Sequence, residues 1–443
     1  MSFVFVLDTD KRPLDPVHPG WARHLLTQGK AAVWRRYPFT IILMRAIPEA
    51  QTTPLRVKLD PGSKTTGVAV VRQFDDVTGQ VVWAAEIIHR GQQVHDGLLT
   101  RKATRRSRRS RHTRYRPARF ANRRRPDGWL PPSLESRLAN VQTWVARLRR
   151  CCPVGALSQE LVKFDTQLMQ HAETSGVDYQ QGELAGYEVR EYLLEKWQRR
   201  CVYCGATDIP LQIEHIVPKA RGGSNRVSNL TLACDPCNRA KGTQTAQEFG
   251  HPTVQQHAKT PLKDAAAVNT TRWALYRRLS ATGLPVEVGT GGRTKWNRTR
   301  RGLPKAHWID AACVGASTPH VLEVTAVTPF LIRATGREFR QLCRMDRYGF
   351  PRTSAKGRRR VQGFQTGDLV RAVVTSGKHA GTHVGRVAVR ARGFFNVTTA
   401  QGTVSDISYR SCQRVQRADG YRYAKGAALP PHVFKAGVPA PNI

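Results

Sequence analysis

Short apolar runs of strand length and longer stretches with helical apolar spacing alternate along this chain. Val4-Phe5-Val6-Leu7 and Phe39-Thr40-Ile41-Ile42-Leu43 read as strands, with a short helix from Trp21 to Gln28 between them and Pro54 closing the module. Arg56 to Asp60 is then a strand, Pro61 to Gly67 a turn dense in chain breakers, and Val68 to Val71 the returning strand. That hairpin holds Asp60 at the edge of its turn. Leu134, Leu138, Val141, Val145 and Leu148 keep helical spacing, and the strand expected over 153–162 carries Glu160. Helices are expected at 188–198, 264–279 and 307–317, the last placing His307 and Asp310 on one face at i, i+3. Near the C-terminus, residues 367–370, 372–374, 385–389 and 394–397 are short alternating strands parted by glycine turns, the pattern of a small SH3-like barrel. The whole is an α/β multidomain chain, and 443 residues suffice for about two to four cores.

Charge changes the picture. Lys and Arg number 71 against 32 Asp and Glu, a formal net charge of +39, which makes a polyanion the expected partner. Charge alone would also suit a ribosomal or structural basic protein. Between Arg101 and Arg125, 13 of 25 residues are Arg or Lys, with no acid and no glycine. Arginine favours helix, so this stretch can form one until Pro117, and phosphates would neutralise its self-repulsion. Arg101, Arg105, Arg106, Arg108, Arg109, Arg111, Arg114 and Arg116 are its candidate nucleic-acid contacts. The apolar run ending at Leu7 meets Asp8 and Asp10 at once and does not read as a cleaved signal, and no stretch approaches the roughly 20 apolar residues of a membrane span. A soluble, cytoplasmic protein is expected, with nucleic acid and no membrane as partner.

In a reducing compartment, Cys201-x2-Cys204 and Cys234-x2-Cys237 read as four ligands of one structural Zn2+. Between and after these clips stand Glu214-His215-Ile216-Val217-Pro218, Gly222-Gly223, Asn229-Leu230 and Asn238-Arg239-x-Lys241-Gly242. This set resembles the HNH endonuclease family and its ββα-metal fold. Phosphodiester hydrolysis needs a base for water and a divalent cation for the developing charge. His215 suits the base, Glu214 and Asn238 supply hard oxygens for one Mg2+, and the resemblance makes Asn229 a residue that positions the loop.

Asp60, Glu160 and Asp310, with His307 one helical turn from Asp310, resemble the split RuvC domain of the RNase H-like fold. Three gathered carboxylates are what two-Mg2+ hydrolysis requires, and His307 would serve as base or extra metal contact. Nearly end to end, the chain resembles IscB, the transposon-encoded RNA-guided nucleases. The supporting residues include Leu59 to Gly67, the arginine helix, Tyr179 to Leu193, the zinc HNH motif, His307-x2-Asp310-Ala311 and Tyr348 to Arg352. The family's N-terminal Pro-Leu-Met-Pro motif reads Pro13-Leu14-Asp15-Pro16 here.

The resemblance implies an N-terminal module at 1–53, RuvC segments at 54–95, 129–170 and 247–325, and an arginine-rich bridge helix at 96–128. It further implies a linker helix at 171–194, the HNH domain at 195–246 and a target-adjacent-motif domain at 326–443. It also implies a monomeric ribonucleoprotein whose structured guide RNA pairs with double-stranded target DNA. HNH would cut the guide-paired strand and RuvC the displaced one. Two other readings fit parts of the sequence. One is a protein-directed HNH endonuclease of homing or junction type, the other an RNA-binding transposon accessory whose centres have decayed.

Overall fold

The computed structural model describes residues 2–111, 129–161, 189–190, 192–194, 196–207, 209–260, 265–325, 327–336, 346–348, 350–352, 354 and 360–429. The N-terminal module comprises β1 (Val4–Leu7), β2 (Pro13–Val17), α1 (Pro19–Thr27), β3 (Ala31–Arg35) and β4 (Thr40–Leu43). Its sheet runs β2-β1-β4-β3, with the continuous apolar strands β1 and β4 in the middle. The two strands absent from the apolar pattern are the edges. β2 holds Pro13 and Pro16, which an edge tolerates because one side of it makes no ladder bonds.

Next come β5 (Leu55–Pro61), β6 (Thr65–Gln73), β7 (Thr78–Ile88), α2 (Gly91–Ser110), α3 (Pro132–Arg149) and β8 (Val154–Glu160). The zinc-motif region contributes β9 (Leu211–His215), β10 (Leu230–Cys234), α4 (Asp235–Lys241) and α5 (Thr253–Lys259). The chain continues through α6 (Ala265–Ser280), β11 (Val286–Gly289), α7 (Gly291–Arg300), α8 (His307–Ala312), β12 (Val321–Glu323) and β13 (Phe330–Ala334). It ends with β14 (Leu369–Val374), β15 (Gly381–Ala388), β16 (Phe394–Thr398), β17 (Thr403–Ser408), β18 (Cys412–Gln416) and β19 (Tyr421–Lys425).

One eight-stranded sheet organises the molecule, in the order β11-β8-β5-β6-β7-β13-β19 with β12 also on β7. β5, β6 and β7 form an antiparallel meander, β8 joins β5 in parallel, and β11 joins β8 in parallel. Its middle strands are covered on both faces. Val57 and Leu59 pack toward Leu138, Val141 and Trp144 of α3, while Ala69 and Val71 pack toward Trp308 and Ile309 of α8. Alternation along β5 therefore turns Lys58 and Asp60 to the α8 side. Lys58 is buried there, its Nζ donating to Val314 O (2.8 Å) and Thr318 Oγ1 (3.0 Å).

Several expectations change. The helix expected over 307–317 stops at Ala312, because Gly315 turns left-handed (φ 85°) and Lys58 takes the Val314 carbonyl. The expected strands 367–370 and 372–374 are one strand, β14, with Arg371 exposed between buried Val370 and Ala372. Residues 326–443, expected as one domain, divide between two sheets. β14 to β18 form an antiparallel five-stranded sheet ordered β17-β16-β15-β14-β18, whereas β13 and β19 belong to the central sheet. A knot of side chains fastens them there: Tyr37 stacks on Tyr423 at 4.2 Å, and Arg147 of α3 donates to Asp419 Oδ2 (3.1 Å) and Tyr423 OH (2.8 Å). The arginine-rich helix begins at Gly91, ten residues before its first arginine, because the 91–100 stretch has no breaker after Gly91 strong enough to stop it.

Candidate active sites

Asp60, Glu160 and Asp310 line one cleft of about 600 Å3, together with Glu86, Arg272, Arg298 and His307. Across the meander Asp60 is in register with Gly67, and Gly67 with Glu86. Gly67 is required for this geometry. A Cβ there would lie 1.8 Å from the His307 carbonyl oxygen, so only glycine lets α8 settle on β6. The contact brings His307 Nδ1 to 4.0 Å from Asp60 Oδ2, with Asp310 one turn further on, while Glu160 ends the neighbouring strand β8.

Two arginines that sequence reasoning missed hold these acids. Arg272 Nη2 pairs with Glu160 Oε1 at 3.2 Å while its Nε donates to Pro61 O at 3.1 Å, and Arg298 Nε pairs with Asp310 Oδ1 at 2.9 Å. Burial, and next the charge of Asp60, still push Glu160 up to about 8 and Asp310 up to about 6. His307 is raised by its approach to Asp60. Desolvated carboxylates that repel one another are the kind of oxygen-donor set that hard divalent cations stabilise, so these residues fit such an ion. Gln198 and Arg199, both left-handed (φ 54° and 55°), bring the segment entering the first CxxC pair to the wall of this cleft.

In the zinc-motif region the four sulfurs of Cys201, Cys204, Cys234 and Cys237 all lie within 4.8 Å of one another, the sole such group of metal-ligand atoms among the described residues. Cys204 Sγ and Cys234 Sγ are 3.8 Å apart, and a tetrahedral Zn2+ with Zn–S near 2.3 Å sets that edge at about 3.8 Å. The four thiols are unpaired by disulfides and fit zinc.

The β9–β10 hairpin pairs His215 with Leu230 and Glu214 with Thr231, and α4 follows directly. Glu214 is buried with both oxygens engaged: Oε1 meets Lys241 Nζ at 2.5 Å, and Oε2 accepts from Tyr203 OH at 2.6 Å. Lys241 Nζ also donates to His215 O (2.9 Å). His215 Nε2 lies 2.9 Å from Asn225 Oδ1, and Asn238 Nδ2 donates to Gln212 Oε1 (2.6 Å). Asn229 clamps the intervening loop, its Oδ1 accepting from Val217 N (2.9 Å) and its Nδ2 donating to Val217 O (3.0 Å) and Ser224 O (2.9 Å). Gly223 permits that fold-back, since a Cβ there would meet Val217 O at 1.7 Å. The structure thus brings Glu214, Lys241 and Tyr203 together and sets His215 on Asn225. Lys241 was readable at i+3 from Asn238; Tyr203, Asn225, Arg272, Arg298 and Glu86 carry no local signal. Packing of Val254 and Ala258 on Ile216 and Ala246 carries this unit past the expected end at 246, through α5.

Along α2, Arg101, Arg105, Arg106 and Arg109 are exposed, and the Arg111 guanidinium lies over the Tyr348 ring at 5.2 Å. Arg114, Arg116 and the side chain of Arg108 lie outside the described residues, as do Tyr179 to Glu188 of the 171–194 segment.

With this geometry in place, comparison with known proteins bears on the zinc-motif region. Residues 201–253 match the family described as HNH endonuclease. Residues 4–182 match the family described as RRXRR protein, and within that span the chain reads Arg105-Arg106-Ser107-Arg108-Arg109. No curated protein matches the chain. Among solved structures, the Type II-C Cas9 enzyme from Actinomyces naeslundii aligns at 15% identity and TM-score 0.24, over 60% of this chain and 59% of that one. Streptococcus thermophilus Cas9 in complex with the AGAA PAM aligns at 12% identity and TM-score 0.23, over 58% of this chain and 32% of that one. The chain therefore spans less than two thirds of either.

Among the described residues, no helix is long and apolar enough to cross a membrane.

Proposed function

We propose that this protein is an IscB-like, RNA-guided DNA endonuclease with two centres. The HNH domain would cut the guide-paired strand, and a split RuvC centre of RNase H-like type would cut the displaced strand. The observation that carries the second centre is the gathering of Asp60, Glu160 and Asp310 with His307 in one cleft, from segments that flank the HNH domain in sequence.

In the outer cleft, Asp60, Glu160 and Asp310 would hold Mg2+, which when bound supplies charge stabilisation to the phosphate and lowers the pKa of water. Arg272 and Arg298 orient two of these carboxylates, and His307, held near Asp60, is placed to move a proton. In the HNH domain, His215 is the general base. Asn225 orients its ring through Nε2, and Asn238 and Glu214 are the oxygen ligands. Lys241 and Tyr203 hold the Glu214 side chain in place.

RNA guidance is supported by the +39 charge and by the exposed arginines of α2, whose planar guanidinium groups fork phosphate oxygens and stack on bases. Expression with the native flanking DNA, followed by sequencing of the RNA that copurifies, tests this. One abundant structured RNA encoded beside the gene and ending in a variable segment is expected. A random mixture of cellular RNA would overturn guidance and favour a protein-directed HNH endonuclease.

A further inference from the structure

We infer that Trp296, on the outer face of α7, is a stacking platform that receives unpaired bases of a DNA strand entering the outer cleft. The inference rests on the reading of that cleft as a DNA-cutting centre and names the form in which its substrate arrives.

The helix has two unlike faces. Gly291, Thr294, Asn297 and Arg298 are buried, and Asn297 Nδ2 donates to both Cys313 O and Gly315 O at 2.8 Å, which pins α7 to the end of α8. Gly291, Thr294, Lys295 and Arg298 line the cleft, and Arg298 holds Asp310. The opposite stripe is Arg293, Trp296 and Arg300, spaced i, i+3 and i+7 and all exposed. The Trp296 side of this stripe follows directly from Lys295 at the cleft wall.

Trp296 is 51% exposed, so about half of a large apolar side chain is left to solvent by its own chain. The guanidinium carbons of Arg293 and Arg300 lie 5.7 Å and 5.0 Å from its ring centre, so both cations are held beside the aromatic face. An aromatic ring flanked by arginines is the arrangement that binds single strands, with bases stacked on the ring and phosphates on the cations. A paired duplex offers no free base face to such a ring. An acidic protein would satisfy the cations but would have no reason to seek the indole beside a nuclease cleft.

The test uses the full chain in metal-free buffer with a short single-stranded DNA containing 2-aminopurine, whose fluorescence is quenched by stacking. Quenching reports the stacked base and not the general pull of a basic surface. Trp296→Ala is expected to raise the apparent Kd read from quenching roughly tenfold, while Trp296→Tyr, which keeps a ring, stays within about threefold of the parent. Phe74→Ala, an exposed aromatic beyond the far end of β6, should match the parent. Arg293→Gln with Arg300→Gln should weaken binding and lessen its salt dependence. Quenching unchanged in Trp296→Ala would overturn the platform, and so would an equal loss in Trp296→Tyr, which would point to disturbed folding of α7. A parallel arm with Mg2+ and a DNA bubble separates this outcome from the proposed function. If Asp60→Ala still cuts both strands while Trp296→Ala loses quenching, the platform stands and the outer centre falls.

Discussion

Single residues decide whether each site can exist. At Gly67 the close approach of the His307 carbonyl leaves no room for a methyl group, so Gly67→Ala must push α8 off β6. A loss of about 1–3 kcal/mol in stability and a larger fall in displaced-strand cutting are expected, read by thermal unfolding and strand-resolved nicking. Lys241 is the counterpart in the HNH domain. Removing its amine in Lys241→Met leaves the buried Glu214 carboxylate with Tyr203 alone and should cost about 3 kcal/mol. A variant as stable as the parent would show that Glu214 is solvated in solution.

Glu160 gives a pH prediction. Its carboxyl is raised from an ordinary 4.5 to about 8, chiefly by burial and then by Asp60. Between those values the metal-free fold keeps a proton that the unfolded chain has released, so this group's contribution to stability falls as pH rises through that window. Glu160→Gln should therefore melt higher than the parent near pH 8 without metal, with the gap closing toward pH 4.5. A gap independent of pH would remove burial of the charge as the cause.

Elements were legible where their partners are near in sequence. The β5–β6 hairpin, α3 and the CxxC pairs could be read because alternation, helical spacing and ligand spacing are local patterns. β7 was hidden although it is the meander's third strand. Ala84 and Ala85 favour helix on their own, and only burial between β6 and β13 makes Val81 to Ile87 a strand. β11, β13 and β19 were equally hidden, since each pairs with a strand remote in sequence or reached by a crossover. The candidate site divides the same way. Asp60, Glu160, His307 and Asp310 carry motif signals, but Arg272 and Arg298 reach them only through the tertiary fold.

The four-cysteine cluster is an element-scale device, because the core beside it is small: Leu193, Leu194, Leu211, Val227, Leu230 and Leu232 are its buried leucines and valine. Chelation, or Cys204→Ser with Cys237→Ser, should unfold the HNH domain and leave the central sheet folded, as separate steps in hydrogen exchange. Loss of both in one step would mean that the cluster supports the whole fold.

At the scale of the molecule, one scaffold would carry both proposed nuclease centres. The HNH domain is inserted between β8 and β11, two adjacent strands of the central sheet, so the insertion leaves the cleft's strands in register. The knot of Tyr37, Arg147, Asp419 and Tyr423 ties the N-terminal module, α3 and the last strand to that sheet. The net charge of +39 suits a partner rich in phosphate. The most direct test of two blades is strand-resolved cleavage of a labelled duplex by the parent, Asp60→Ala and His215→Ala, each loaded with the copurifying RNA. The account predicts that the parent breaks both strands, that each single variant nicks, and that the two nicks fall on opposite strands. A double-strand break by either single variant, or both variants nicking the same strand, would contradict it.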